Sequence, residues 1–186
     1  MPADWLKNCV SVDMEAAGSH PAKYAMLSIG ACLVTDETQA FYVELKPDRE
    51  SFQEHALGIS GLSMQQLQQE GLDPGQALHA FAAWLEENVP AKPIFVAFNA
   101  PFDWMFINDY FHRYTGSNPF GHSAIDIKAL YLGYAGGEWI DTTMDRVNAR
   151  FGLDKSLSHH ALEDARDQAA LFLRIITHIE ENSPKE

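Results

Sequence analysis

Hydrophobic and polar positions change period several times along the chain, and each change marks an element. "NCVSVDM" (8–14), "AMLSIGACLVT" (25–35) and "AFYVELK" (40–46) are continuous or alternating apolar runs of strand length. "AAGSHPAKY", with Gly18 and Pro21, separates the first two, and polar "DETQ" reads as the turn before the third. These segments predict a three-strand antiparallel meander. Helical spacing then takes over. "GLSMQQLQQEG" offers Ser63 as a cap and stops at Gly71, and "DPGQALHAFAAWLEENV" sets Leu78, Phe81, Leu85 and Val89 in one stripe. "KPIFVAF" is a short, wholly apolar run of the kind that pairs in parallel inside a covered sheet. In "APFDWMFINDYFHRY", Phe102, Phe106 and Tyr110 form an i, i+4 row; "SAIDI" is a further strand, and "TTMDRVNARFG" a short helix ended by Gly152. The last helix runs from about Ala161 to Glu180, with Leu162, Ala165, Ala169, Phe172, Ile176 and Ile179 on one face. A meander followed by parallel β-α units predicts a mixed sheet flanked by helices. One domain over 1–186 is expected, with a frayed tail at about 181–186.

Charge narrows the partners. A net charge of −13 excludes the broad basic surface needed to coat long nucleic acid. It leaves room for a short substrate held at one end by metal ions. No apolar run reaches the length of a membrane span, and no basic, apolar leader opens the chain, so a cytoplasmic protein away from membranes is expected. Cys9 and Cys32 have no metal-ligand spacing and sit in apolar segments, as buried free thiols do.

Four acidic residues fall where core is expected. Asp13 and Glu15 end the first strand, two apart, and so project from the same face. Asp103 lies just past the fourth strand, in the first turn of its helix. Asp164 sits among Ala161, Ala165 and Ala169, small residues that let a helix approach a sheet closely. Each alone reads as an ordinary polar position. Together, at the strand ends of one sheet rim, they would repel one another unless cations lay between them. Hard divalent ions with oxygen ligands meet that demand, Mg²⁺ first and Mn²⁺ as the alternative. Two such ions about 3.5–4 Å apart can activate a water and stabilise the leaving oxygen of a phosphodiester.

On these residues the chain resembles the DEDDh branch of the DnaQ-like 3′–5′ exonucleases. "DMEAAG" resembles their D-x-E-x-x-G, "FNAPFDWMF" their N-A-x-F-D-x-x-F, and "HHALEDA" their H-x-A-x-x-D-A, in the same order and over nearly the whole chain. The resemblance implies an α/β, RNase H-like fold with a central mixed five-stranded sheet. It implies metal-dependent release of 5′-mononucleotides from a 3′ end. Asp13, Glu15, Asp103 and Asp164 become the ligands of two Mg²⁺, and His159, five residues before Asp164, becomes the general base, with His160 as the neighbouring alternative. Homodimers are common in this family.

Smaller expectations accompany these. Gly18 would allow a tight turn beside the terminal nucleotide. Met14 would contact it from between two carboxylates or else belong to the core, and Asn99 would position Asp103, bind the sugar or shape a turn. Phe102 would stack on a base or begin the core row of its helix. Glu163 and Asp167 should be solvated, and Asp126 is the main decoy carboxylate. His20, His55, His79, His112, His122 and His178 show no ligand spacing. The expected substrate is the 3′ end of short single-stranded nucleic acid, with RNA favoured over DNA because "FINDYFHRYTGSNPFG" resembles RNA-directed members. The rivals are a DNA proofreading subunit, a non-catalytic binding module on the same fold, and a phosphoesterase of small nucleotide-like molecules.

Overall fold

The computed structural model describes residues 4–153 and 158–182. Its five strands are β1 (Cys9–Ala16), β2 (Met26–Leu33), β3 (Asp36–Glu44), β4 (Ile94–Ala97) and β5 (Ala124–Asp126). They form one sheet in the order β3-β2-β1-β4-β5. β1 pairs antiparallel with β2 and β2 with β3, whereas β1–β4 and β4–β5 are parallel. The first and fourth strands are therefore neighbours, as the site requires.

Alternation along β1 divides two cores. Val10, Val12 and Met14 face a layer built by α3 (Pro74–Asn88) and α4 (Pro101–Thr115), where Phe81, Phe106 and Tyr110 are fully buried. Cys9 faces the opposite layer, which holds α5 (Ile127–Ala135), α6 (Met144–Arg150) and the long α7 (Ala161–Asn182). Phe172 and Ile175 of α7 are fully buried there. Asp13 and Glu15 share the parity of Cys9 and so look toward α7. Both cysteines are free and buried.

Small residues decide how close α7 comes. A Cβ on Gly30 would lie 2.2 Å from the Ala161 carbonyl carbon and the Leu162 nitrogen. Gly30 is also the cross-strand partner of Asp13. Only a glycine admits the first turn of α7 at this point, and that turn delivers Asp164.

Three details differ from the sequence pattern. The β2–β3 turn is only Val34–Thr35, and Asp36–Gln39 extends the exposed edge strand β3 rather than forming a turn. An edge tolerates such polar residues because one side of it faces water. Helix α1 (Glu54–Ser60) buries no residue and thus carries no apolar stripe, and α5 follows β5 without an intervening turn signal; neither was visible in the pattern. α2 (Met64–Glu70) is capped by Ser63 and ends at Gly71 as expected. α7 continues to Asn182, and residues 183–186 of the expected tail lie outside the described residues. Among the described residues, no helix is long and apolar enough to cross a membrane.

Candidate active site

The four carboxylates meet at one end of the sheet, reaching it from both layers. β1 contributes Asp13 and Glu15, half-buried; α4 contributes Asp103 and α7 Asp164, which are 5% and 2% exposed. All four line one pocket, together with His159, Met14, Gly18, Asn99 and Phe102. The five motif residues and Met14, Gly18, Asn99 and Phe102 are thus brought to this cavity, whereas His160, the alternative base, does not line it.

Each carboxylate is seated differently. Asp103 Oδ1 accepts the Met14 N–H at 3.2 Å, across the gap between α4 and β1. Asp164 Oδ1 accepts the Ser158 N–H and hydroxyl at 2.7 and 2.9 Å, and its Oδ2 accepts the His159 N–H at 2.9 Å. Asp13 Oδ1 accepts the Gln168 side-chain amide at 2.6 Å. Among the described residues, no lysine or arginine is paired with any of them.

Burial without cationic partners has the expected electrostatic result. Asp13 is held well above the usual carboxylate range by burial, then by Asp103, Glu15 and Asp164, with the Gln168 bond opposing. Asp103 is also raised, by burial foremost and by the charges of Glu15 and Asp126, against the hydrogen bonds it accepts. Glu15 is pushed up to about 7 by burial and by Asp164. Oxygen donors that cannot all be charged together form a cation site in waiting. One carboxylate oxygen each from Glu15 and Asp164 and a ring nitrogen of His159 lie within 4.8 Å of one another.

Among the described residues, two non-glycine residues have a left-handed backbone, Asn99 (φ 62°) and His159 (φ 57°), and both sit at this site. Asn99 turns the chain from β4 into α4, two residues before Pro101 sets its first turn; Asn tolerates that conformation. His159 makes the equivalent corner before α7. The two adjacent histidines diverge there. His159 faces the carboxylates, while the His160 ring stacks on Tyr42 at 4.6 Å between centroids.

The remaining expectations are sorted by the same geometry. Met14 is 3% exposed and belongs to the core, and its backbone N–H serves the site. Gly18 has an ordinary φ; its missing Cβ makes room for the Tyr24 ring, 2.4 Å from where that atom would be. Phe102 is 38% exposed at the pocket while Phe106 and Tyr110 continue its row into the core. Asp126 caps α5 through the Ala129 N–H and does not line the pocket. Glu163 pairs with Arg166, and Asp167 is half-buried rather than solvated. Two contributions escaped the sequence reading. His55, on the unrecognised α1, lines the pocket. Gln168 carries the only side-chain donor to Asp13 among the described residues; its position four beyond Asp164, on the small-residue face of α7, was the available signal.

A family model described as Exonuclease (RNase T) matches residues 10–172. The chain is 44% identical over 174 residues to the 3′-5′ DNA exonuclease Cap18 of Escherichia coli, covering 92% of each chain. Its fold is similar to the nuclease domain of 3′hExo, a DEDDh family member bound to rAMP, with a TM-score of 0.78, 14% identity and 99% of both chains covered. It is also similar to the Mg²⁺- and Mn²⁺-bound form of S. pombe Pop2p, with a TM-score of 0.67, 15% identity, and 96% and 86% of the two chains covered.

Proposed function

The chain belongs to the exonuclease family, as a 3′–5′ exonuclease, and on that premise we propose what it cuts and how. It forms a single catalytic domain that removes 5′-mononucleotides from the 3′ end of short single-stranded DNA. The observation that carries the mechanism is the convergence of Asp13, Glu15, Asp103 and Asp164 with His159 on one pocket.

The donor set fits divalent cations: all four carboxylates are oxygen ligands, and at least three resist ionising together without a cation. Two bound ions, Mg²⁺ or Mn²⁺, would be held by these carboxylates and would supply an activated water and stabilisation of the leaving oxygen. The protein's own residues do the rest. His159, whose corner is fixed by its left-handed backbone and by its backbone N–H donating to Asp164 Oδ2, presents the imidazole that takes the proton from the attacking water. Phe102 offers an aromatic face to the terminal base, a contact that tolerates any sequence. Gly18 and Asn99 shape the wall beside the sugar. The acidic surface suits a short or frayed end better than a long duplex.

DNA replaces the RNA expected from the sequence because of the 44% identity to an enzyme named as a DNA exonuclease, spread over the whole domain. Matched 5′-labelled DNA and RNA oligomers, incubated with Mg²⁺ or Mn²⁺, test both parts. DNA should shorten from its 3′ end faster than RNA, and chelation or Asp103→Ala should stop it. Faster loss of RNA would reverse the substrate assignment, and no cleavage of either would end the nuclease reading. His159→Ala should lower kcat by roughly 10²- to 10⁴-fold. His160→Ala should leave kcat unchanged; equal losses in the two variants would remove the base from His159.

A further inference from the structure

Gln168 is 2% exposed, yet it has no place in the three motifs. Both ends of its side chain are engaged. Nε2 donates to Asp13 Oδ1 at 2.6 Å, and Oε1 accepts the Phe98 N–H at 2.8 Å. A backbone N–H can only donate, so the amide has one orientation: oxygen toward Phe98, nitrogen toward Asp13. Phe98 directly follows β4 and precedes Asn99, the corner from which α4 and Asp103 hang. Asp103 in turn accepts the N–H of Met14, the neighbour of Asp13 on β1. These bonds close a circuit from α7 to β1, on to α4, and back through the β4–α4 corner to α7.

The choice of an amide at this node has a physical reason. A lysine or arginine would neutralise Asp13 and compete with a cation, and a carboxylate would add to the repulsion. An uncharged donor engages one oxygen of Asp13 and leaves both its charge and its second oxygen for a ligand. We propose that Gln168 is a positioning residue for metal binding: it turns the Asp13 carboxylate toward the cation and ties that orientation to the seating of Asp103 and Asp164. The proposal rests on the metal-binding reading above.

Calorimetric titration of Mn²⁺ into the full chain, without nucleic acid, tests it. Gln168→Met keeps the length of the side chain and removes both polar atoms. Its Mn²⁺ affinity should fall about 10-fold. Adding Gln168→Met to Asp13→Ala should bring no further loss, because the effect runs through Asp13. A purely structural glutamine would lower the melting temperature with unchanged Mn²⁺ affinity, or weaken binding equally on both backgrounds; either result overturns the proposal. Absence of Mn²⁺ binding in the wild type would instead fail the metal reading on which it rests. The wild-type protein supplies a second readout that needs no variant to fold. In ¹⁵N spectra one side-chain amide proton of Gln168 should exchange slowly and shift on addition of Mg²⁺. Exchange of both protons at the rate of a free amide would also overturn the proposal.

Discussion

Asp48 is half-buried, as Asp13 and Glu15 are, while Asp103 and Asp164 lie deeper, and the fold treats Asp48 and the rim carboxylates in opposite ways. Asp48 sits in the segment after β3 and is surrounded by donors. Its Oδ1 accepts the Tyr110 hydroxyl at 2.5 Å; its Oδ2 accepts Tyr114 at 2.8 Å and Arg113 at 2.6 Å, with Arg49 at 3.1 Å. Burial pulls its pKa up, but the bonds from Tyr110, Arg113 and Tyr114 and the charge of Arg113 prevail and hold it below the usual range. The Tyr110 hydroxyl also accepts the Met26 N–H at 2.7 Å, so the cluster binds this segment to α4 and to the start of β2. Among the described residues, Asp13, Glu15 and Asp103 receive no cationic side chain, and their pKa values are raised. A carboxylate whose charge the fold itself balances is a fastener. One that finds no such balance among the described residues suits the proposed role of a cation ligand.

The largest effect that would sharpen this contrast is on activity. Asp103→Asn keeps the shape and the Met14 contact while removing a charge, and should abolish Mn²⁺-dependent cleavage without lowering the melting temperature of the chelated protein. Substantial destabilisation would make Asp103 a fastener too. Asp48→Ala should show the reverse: a loss of about 2–3 kcal/mol in chemical denaturation, with kcat per folded molecule retained.

Proton linkage separates the clusters next. The unfolded chain releases the Glu15 proton near its ordinary 4.5, whereas the folded, chelated protein keeps it up to about 7. The unfolded state then binds fewer protons, so this contribution to stability is full below 4.5 and is lost as pH rises through 7. Asp48 has the opposite sign. Its contribution is present above the ordinary 3.8 and is lost as pH falls below it. In EDTA the melting temperature should therefore decline between pH 5 and 7, and saturating Mn²⁺ should flatten that decline. A rise over the same range in EDTA would break the comparison. The smallest expected effect is Tyr114→Phe, which removes one of several bonds to Asp48 and should cost about 1 kcal/mol in the same denaturation measurement.

The division between what was legible in the sequence and what was not follows the range of the interactions. Strands, the α3 stripe and the motif carboxylates are written in local periodicity, and they emerged with boundaries close to those observed. Asp103 and Asp164 each read alone as ordinary polar positions, and a core-facing acid became an anomaly only when all four were taken together and set in the three motifs. Gln168 is also a core-facing polar residue, but its partner Asp13 is 155 positions away, and a glutamine in a helix reads as solvated until that contact is seen. Gly30 was silent for a similar reason: its meaning lies in the backbone of α7, over a hundred residues later. α1 was missed because a short helix with no fully buried residue, its apolar Ala56 and Leu57 only partly covered, leaves no stripe.

The left-handed corner at His159 also bears on how the molecule could be made sturdier. A non-glycine residue in that region costs on the order of 1 kcal/mol relative to glycine, and the chain places a histidine there. Relieving the corner with His159→Gly should yield a more stable fold that lacks the imidazole proposed as the base. Selection for thermal resilience alone would therefore tend to erode the enzyme at this joint, so a stability screen of this protein would need activity as a second criterion.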